Sequence, residues 1–192
     1  MYAIDIDGVI ADSEPILVKG LEDYTKQKFH PANPRKYDFR DGFDDLSLKD
    51  CLTVIDETLL LNSDTIPVYN YDRTYLALAK IQAKYGSVTF ITSRNLILHQ
   101  YTSDWIKKHF GDLNFELYTI GHGEDKEWWM YKHNLRILIE DRLKTVNELQ
   151  NPINFAYLVN RPWNEKRDTR MYVTRVYDLL DAVDHSMENL YL

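Results

Sequence analysis

Short runs that are apolar throughout alternate along the chain with longer stretches whose apolar residues recur every three or four positions. The short runs predict strands buried on both faces, and the periodic stretches predict amphipathic helices. Strands are expected at Tyr2 to Ile6, Val88 to Ile91, Phe115 to Ile120, Ile137 to Ile139, Phe155 to Val159 and Tyr172 to Val176. Helices are expected at Leu96 to Phe110, Lys126 to His133 and Lys144 to Gln150, with a last one beginning over Tyr177 to Val183. Such alternation implies βαβ units: an α/β fold with a Rossmann-like parallel sheet and helices on both faces. Ligands of these sheets sit beyond the carboxyl ends of the strands, so the polar residues there are the ones to read.

Residues 13–71 depart from this pattern. Asp12-Ser13-Glu14-Pro15 reads as a helix start, running to about Lys28 before His30-Pro31-Ala32-Asn33-Pro34 breaks it. A mixture of charge and aromatics follows from Arg35 to Phe43 without clear period. Leu48 to Leu61 then reads as an amphipathic helix with Leu48, Leu52, Ile55 and Leu59 on one stripe, and Pro67 ends the region. A helix from Asp72 to Tyr85, closed by Gly86, returns to the alternating pattern. The expected organisation is a core of residues 1–12 and 72–192 with a small helical insertion, 13–71, after the first strand.

Composition narrows the partners. The 192 residues carry 23 Lys and Arg against 30 Asp and Glu, a net charge of -7, which argues against a protein that tracks long nucleic acid. A single cysteine, Cys51, excludes an internal disulfide and fits a reducing cytoplasm. No apolar run approaches the ~18 residues of a membrane span, and the first residues lack the basic start of a signal peptide. The histidines form no ligand cluster: His122 reads as an exposed loop residue, and His99, His109 and His133 as helix-surface residues. The size allows a homodimer, and no apolar patch decides it.

Three strand ends carry chemistry. The first, Asp5-Ile6-Asp7-Gly8, puts two acids on one face, costly unless a cation or proton is shared, although a solvated turn reads the same way. A calcium loop of the EF-hand kind fails, because Val9 and Ile10 stand where an acid and a glycine are needed. The second, Thr92-Ser93-Arg94, could grip a phosphate at a helix start, or Ser93 could merely cap that helix. The third, Glu140-Asp141-Arg142, is an acid pair that could equally be helix capping. A lysine, Lys126, precedes it by 15 residues, with Lys132 a competitor.

Taken together and in this order, these segments resemble the haloacid dehalogenase superfamily of phosphatases. Asp-Ile-Asp-Gly-Val-Ile-Ala is similar to its first motif, Phe-Ile-Thr-Ser-Arg to its second, Lys126 to its third and Ile-Leu-Ile-Glu-Asp-Arg to its fourth. Within it the chain looks most like the 5'(3')-deoxyribonucleotidases, through Asp-Gly-Val-Ile-Ala-Asp-Ser, Ile-Thr-Ser-Arg, Glu-Asp-Arg and Val-Asn-Arg-Pro-Trp-Asn. Glu140 departs from the aspartate common in that branch.

The resemblance implies a Mg2+-dependent hydrolysis of nucleoside monophosphates. Asp5 would attack phosphorus and form an aspartyl-phosphate, and Asp7, protonated when substrate arrives, would serve the leaving oxygen. Asp5, Asp141 and the main-chain carbonyl of Asp7 would hold the metal, with Glu140 behind them or as an alternative ligand. Thr92, Ser93, Lys126 and the amide of Gly8 would bind the phosphoryl oxygens. Arg94 would either join them or pair with an acid, and Arg142 would hold the acid loop. The insertion becomes a cap over the site, where Tyr37, Phe39 and Phe43 could stack on a base and Arg35, Lys36 or Arg40 touch polar groups; equally, the rings could pack the cap's own core. Trp163 reads as a buried anchor or, alternatively, a lid, and Arg161 is held extended by Pro162. Alternatives are a sugar phosphate or a polynucleotide 3'-phosphate end as substrate, or a non-catalytic binding module on the same fold.

Overall fold

The computed structural model describes residues 1–31, 37–150, 155–165 and 168–189. Six strands form one parallel sheet: β1 (Tyr2–Ile4), β2 (Val88–Thr92), β3 (Phe115–Thr119), β4 (Ile137–Glu140), β5 (Phe155–Val159) and β6 (Val173–Val176). Their order is β3-β2-β1-β4-β5-β6. The chain leaves β1 toward β2 on one side and later returns beside β1 with β4, so the carboxyl end of β1 lies at the switch point where such sheets bind ligands. Ile4 is level with Phe90 of β2 and Ile139 of β4.

Period-two alternation divides the core in two. Tyr2, Ile4, Ile137, Ile139, Tyr157 and Val159 face one side, where α3 (Tyr71–Tyr85), α4 (His99–Phe110) and α7 (Leu179–Asn189) bury Leu78, Trp105 and Val183 against them. Ala3, Leu138, Ala156 and Leu158 face the other, covered by Met130 of α5 (Lys126–Lys132) and Val146 of α6 (Leu143–Glu148). β1 is shorter than the apolar run predicts. Ile6 is fully buried, but its carbonyl accepts from the amides of Val9, Ile10 and Ala11, so the chain turns there instead of extending.

Between β1 and α3 the insertion contributes α1 (Glu14–Thr25) and α2 (Leu48–Asn62), which pack on each other. α1 stops three residues before the expected end, at Lys26 in the left-handed conformation. Leu21, Phe43, Cys51 and Val54 form a small cluster of the insertion's own, while Leu17 and Leu59 reach into the main core. Arg35 and Lys36 lie outside the described residues. Among the described residues no helix is long and apolar enough to cross a membrane.

Candidate active site

The strand order puts the ends of β1 and β4 side by side, and alternation turns Glu140 to the face of Leu138, the face that α5 covers. The first residue of α5 is Lys126. Its ammonium lies 2.8 Å from Asp5 Oδ1 and 2.7 Å from Glu140 Oε2, and all three side chains are buried. The other oxygen of Glu140 accepts from the amides of Asp141 and Arg142 at 3.1 and 3.0 Å. Asp141 is 2% exposed; Trp163 Nε1 donates to its Oδ2 at 2.9 Å, while its Oδ1 is buried without a hydrogen-bond partner.

This cluster holds more negative charge than it neutralises. Burial and the charge of Glu140 push the Asp5 carboxyl up to about 8, against the pull of Lys126. Burial, with Glu140 and Asp5 beside it, also raises Asp141 well above the carboxylate range. Burial works against Glu140 too, but the charge and hydrogen bond of Lys126, the Asp141 side chain and the Arg142 amide outweigh it and lower that group. Lys126 is raised in spite of its burial, by Asp5 and Glu140.

A divalent cation fits such residues. One oxygen each from Asp5, Glu140 and Asp141 lie within 4.8 Å of one another, and the open Oδ1 of Asp141 is a hard oxygen donor of the kind Mg2+ takes. Both oxygens of Glu140 are already bonded, which leaves Asp5 and Asp141 as the better ligands.

Asp7 sits differently. Arg94 Nε donates to one of its oxygens at 2.8 Å and Nη2 to the other at 2.7 Å, while Nη1 reaches Thr102 Oγ1 at 3.1 Å. Burial alone would raise the Asp7 carboxyl, but the charge and hydrogen bonds of Arg94, a bond from Ser13 and the charge of Lys126 hold it below its ordinary value. The expected protonation on arrival is therefore not what these surroundings produce, because a buried guanidinium favours the ionised form.

The remaining expected residues separate. Thr92 is buried, and its hydroxyl accepts from the Arg94 amide at 3.3 Å; Ser93 stands between them, half-buried. The Gly8 amide expected on a phosphate is bonded to Ala11 O at 3.0 Å, closing the turn after β1. A glycine is needed there for another reason: φ is +75°, and a Cβ would stand 2.2 Å from Asp141 Oδ2. Lys132 lies over the rings of Trp128 and Trp129 at 5.0 and 4.7 Å, away from the acids.

Of the insertion's candidates among the described residues, Tyr37 alone adjoins the acids. Its ring meets Trp163 edge-on at 6.4 Å and carries the Arg142 guanidinium at 4.9 Å. Tyr37 is 42% exposed, yet desolvation at its hydroxyl and the charges of Asp141, Glu140 and Asp5 raise that group. Phe39 and Phe43 pack on Phe29 at 6.2 and 5.4 Å, and Arg40 is bonded to Asp38 through Nε and Nη2. Phe43 serves the insertion's own cluster, Phe39 packs on that cluster and on the main core, and Arg40 pairs with its neighbour Asp38.

Sequence reasoning missed Asp56. Its carboxylate, on α2, meets His122 Nε2 at 2.8 Å and Asn95 Nδ2 at 2.9 Å, joining the insertion to the loops after β3 and β2. His122 is thus bonded rather than merely exposed. The available signal was an acid on the Leu52, Ile55 and Leu59 stripe. His109 and His133, expected at the helix surface, have buried Nε2 atoms; their rings pack on Trp105 and Trp129.

No protein-family model and no curated protein matches the sequence. Solved structures do match its fold. CbbY from Rhodobacter sphaeroides, solved with phosphate, superposes with a TM-score of 0.64 at 8% identity, over 95% of this chain and 98% of that one. A candidate β-phosphoglucomutase from Thermotoga maritima gives 0.59 at 14% identity, over 98% and 99%. A haloacid dehalogenase-like hydrolase from Xanthomonas campestris gives 0.57 at 13% identity, over 97% and 94%. At such identities the likeness is one of fold, and with the parallel six-stranded order it gives this chain the Rossmann-like α/β fold of the haloacid dehalogenase-like hydrolases.

Proposed function

We propose that the protein hydrolyses phosphomonoesters with the help of Mg2+, with Asp5 as nucleophile and nucleoside monophosphates as substrate. The observation that carries this reading is the buried set Asp5, Glu140 and Asp141 around the single ammonium of Lys126, with one Asp141 oxygen left open. Mg2+, when bound, would neutralise the phosphate and the attacking carboxylate together, the chief obstacle to bringing two anions into contact. Asp5 and Asp141 would hold it with the main-chain carbonyl of Asp7, while Glu140 keeps Lys126 in place.

In this reading Asp5 forms a bond to phosphorus, and the bond to the ester oxygen breaks with its electron pair on that oxygen. Asp7 supplies the proton that oxygen needs, then takes one from the water that cleaves the aspartyl-phosphate and releases phosphate. Arg94 holds Asp7 ionised in the free protein. A phosphate arriving beside them competes for Arg94 and repels the Asp7 carboxylate, and both effects favour its uptake of a proton. Lys126, Thr92 and Ser93 donate to the phosphoryl oxygens.

The nucleotide assignment rests on the likeness of the strand-end segments to deoxyribonucleotidases. A second reading, a sugar phosphate, is favoured by the candidate β-phosphoglucomutase among the similar folds. Phosphate release from 5'- and 3'-mononucleotides, sugar phosphates and 3'-phosphorylated oligonucleotides tests both. Mononucleotides are expected to be fastest, with activity silenced by EDTA and restored by Mg2+. Faster release from sugar phosphates favours the second reading, equal low rates on all overturn the nucleotide assignment, and indifference to EDTA overturns the metal.

A further inference from the structure

The loop after β5 takes no part in these steps, yet it bonds to both segments that carry the acids. Arg161 Nε donates to Gly8 O at 2.7 Å. Asn164 Nδ2 donates to Asp141 O at 2.7 Å and to Val159 O at 2.9 Å, so it ties the chain after β4 to the end of β5. Trp163 Nε1 donates to Asp141 Oδ2 at 2.9 Å. Trp163 is 7% exposed and Asn164 1%, so water does not compete for these bonds.

The two oxygens of Asp141 are consequently unlike. Oδ2 is held by the indole and lies where a side chain on Gly8 would collide with it; Oδ1 has no partner. A carboxylate held at one oxygen loses that hydrogen bond if it turns about its last bond, so one orientation is favoured. An indole N–H only donates, so it orients a carboxylate without competing for a cation as an imidazole would. We propose that Trp163 is a positioning residue for the cation, holding Asp141 by Oδ2 so that Oδ1 is presented to the metal. The inference rests on the metal reading above and extends it to the Asn-Arg-Pro-Trp-Asn loop.

Trp163→Phe removes the donor and retains a ring against Tyr37. Calorimetric titration of the purified chain with Mg2+ should show affinity about 10- to 100-fold weaker than in the wild type, the usual loss when a partner of a metal ligand is removed. A merely structural Trp163 would instead lower the melting temperature in EDTA and leave Mg2+ affinity unchanged, which overturns the inference. A wild type that binds no Mg2+ overturns the metal reading and this inference with it. Should the variant not fold, the wild-type indole N–H is followed by NMR, assigned by Trp105→Phe, Trp128→Phe and Trp129→Phe. Its resonance should move along the Mg2+ titration, and a resonance unmoved at saturation overturns the proposal.

Discussion

Two sets of carboxylates, the half-buried Asp7 and the buried Asp5, Glu140 and Asp141, meet beyond the end of β1, and they are balanced in opposite ways. Asp7 has its own guanidinium, with both oxygens bonded and the acid form disfavoured. Asp5, Glu140 and Asp141 share one ammonium, and two of the three are pushed toward holding protons. A matched pair is complete in itself. An unmatched cluster costs stability unless a further cation or proton joins it, and a fold retains such a cost where function needs the cation. The contrast singles out the set at β1 and β4 as the centre of the chemistry.

The sharpest break of this comparison removes the nucleophile. Asp5→Asn is expected to lower phosphate release by roughly 10^4-fold or more while the chain still folds, since one charge leaves an overcharged site. Phosphate assays and circular dichroism check both halves; substantial residual turnover would remove Asp5 from the mechanism. On the matched side, Arg94→Ala strands the Asp7 carboxylate. Its cost should be about 3 kcal/mol, the low end for breaking a buried pair, because Asp7 remains 26% exposed. Urea denaturation measures it, and an unchanged midpoint would show that the pair is not structural.

The next effect in size is one of pH. In the metal-free chain the folded pKa of Asp5, about 8, lies above its ordinary 3.8, and Asp141 is raised in the same direction. Stability from these groups is full below about pH 4 and is lost as pH rises toward 8, because the unfolded chain gives up those protons first. In EDTA the melting temperature should therefore fall between pH 5 and 8. With Mg2+, which takes the place of the protons, the fall should flatten. Asp7 and Glu140, both lowered, act only below their ordinary 3.8 and 4.5, so a melting temperature in EDTA that stays flat or rises over this window would mean that Asp5 and Asp141 do not hold protons in the folded chain.

How far these regions could be read beforehand follows the range of the interactions. Short runs apolar throughout locate β1, β2 and β4, and therefore Asp5, Thr92 and Glu140 at their ends, because a strand's burial is written in its own residues. The early end of β1 was hidden, since Ile6 is equally buried in a strand or in the turn its carbonyl closes. Asp7 and Arg94 stand 87 positions apart, and no local pattern pairs them. The insertion was least readable. Phe39 and Phe43 lie in a stretch without clear period, and that Phe29 covers them is shown only by packing.

Asp56 provides the finest probe, because it links the two regions that differ most in how they were read. Its carboxylate joins α2 to His122 and Asn95, on loops that flank Thr92 and Lys126. Asp56→Ala loses both bonds and should cost about 1–2 kcal/mol in urea denaturation. Where that loss appears matters more than its size. If the insertion opens separately from the sheet, hydrogen exchange of the α2 amides should quicken well beyond that of β1 and β4. Equal quickening everywhere would mean that Leu17 and Leu59, which reach the main core, already bind α1 and α2 into one cooperative unit with the sheet. Access to the acids would then have to come from the loops alone.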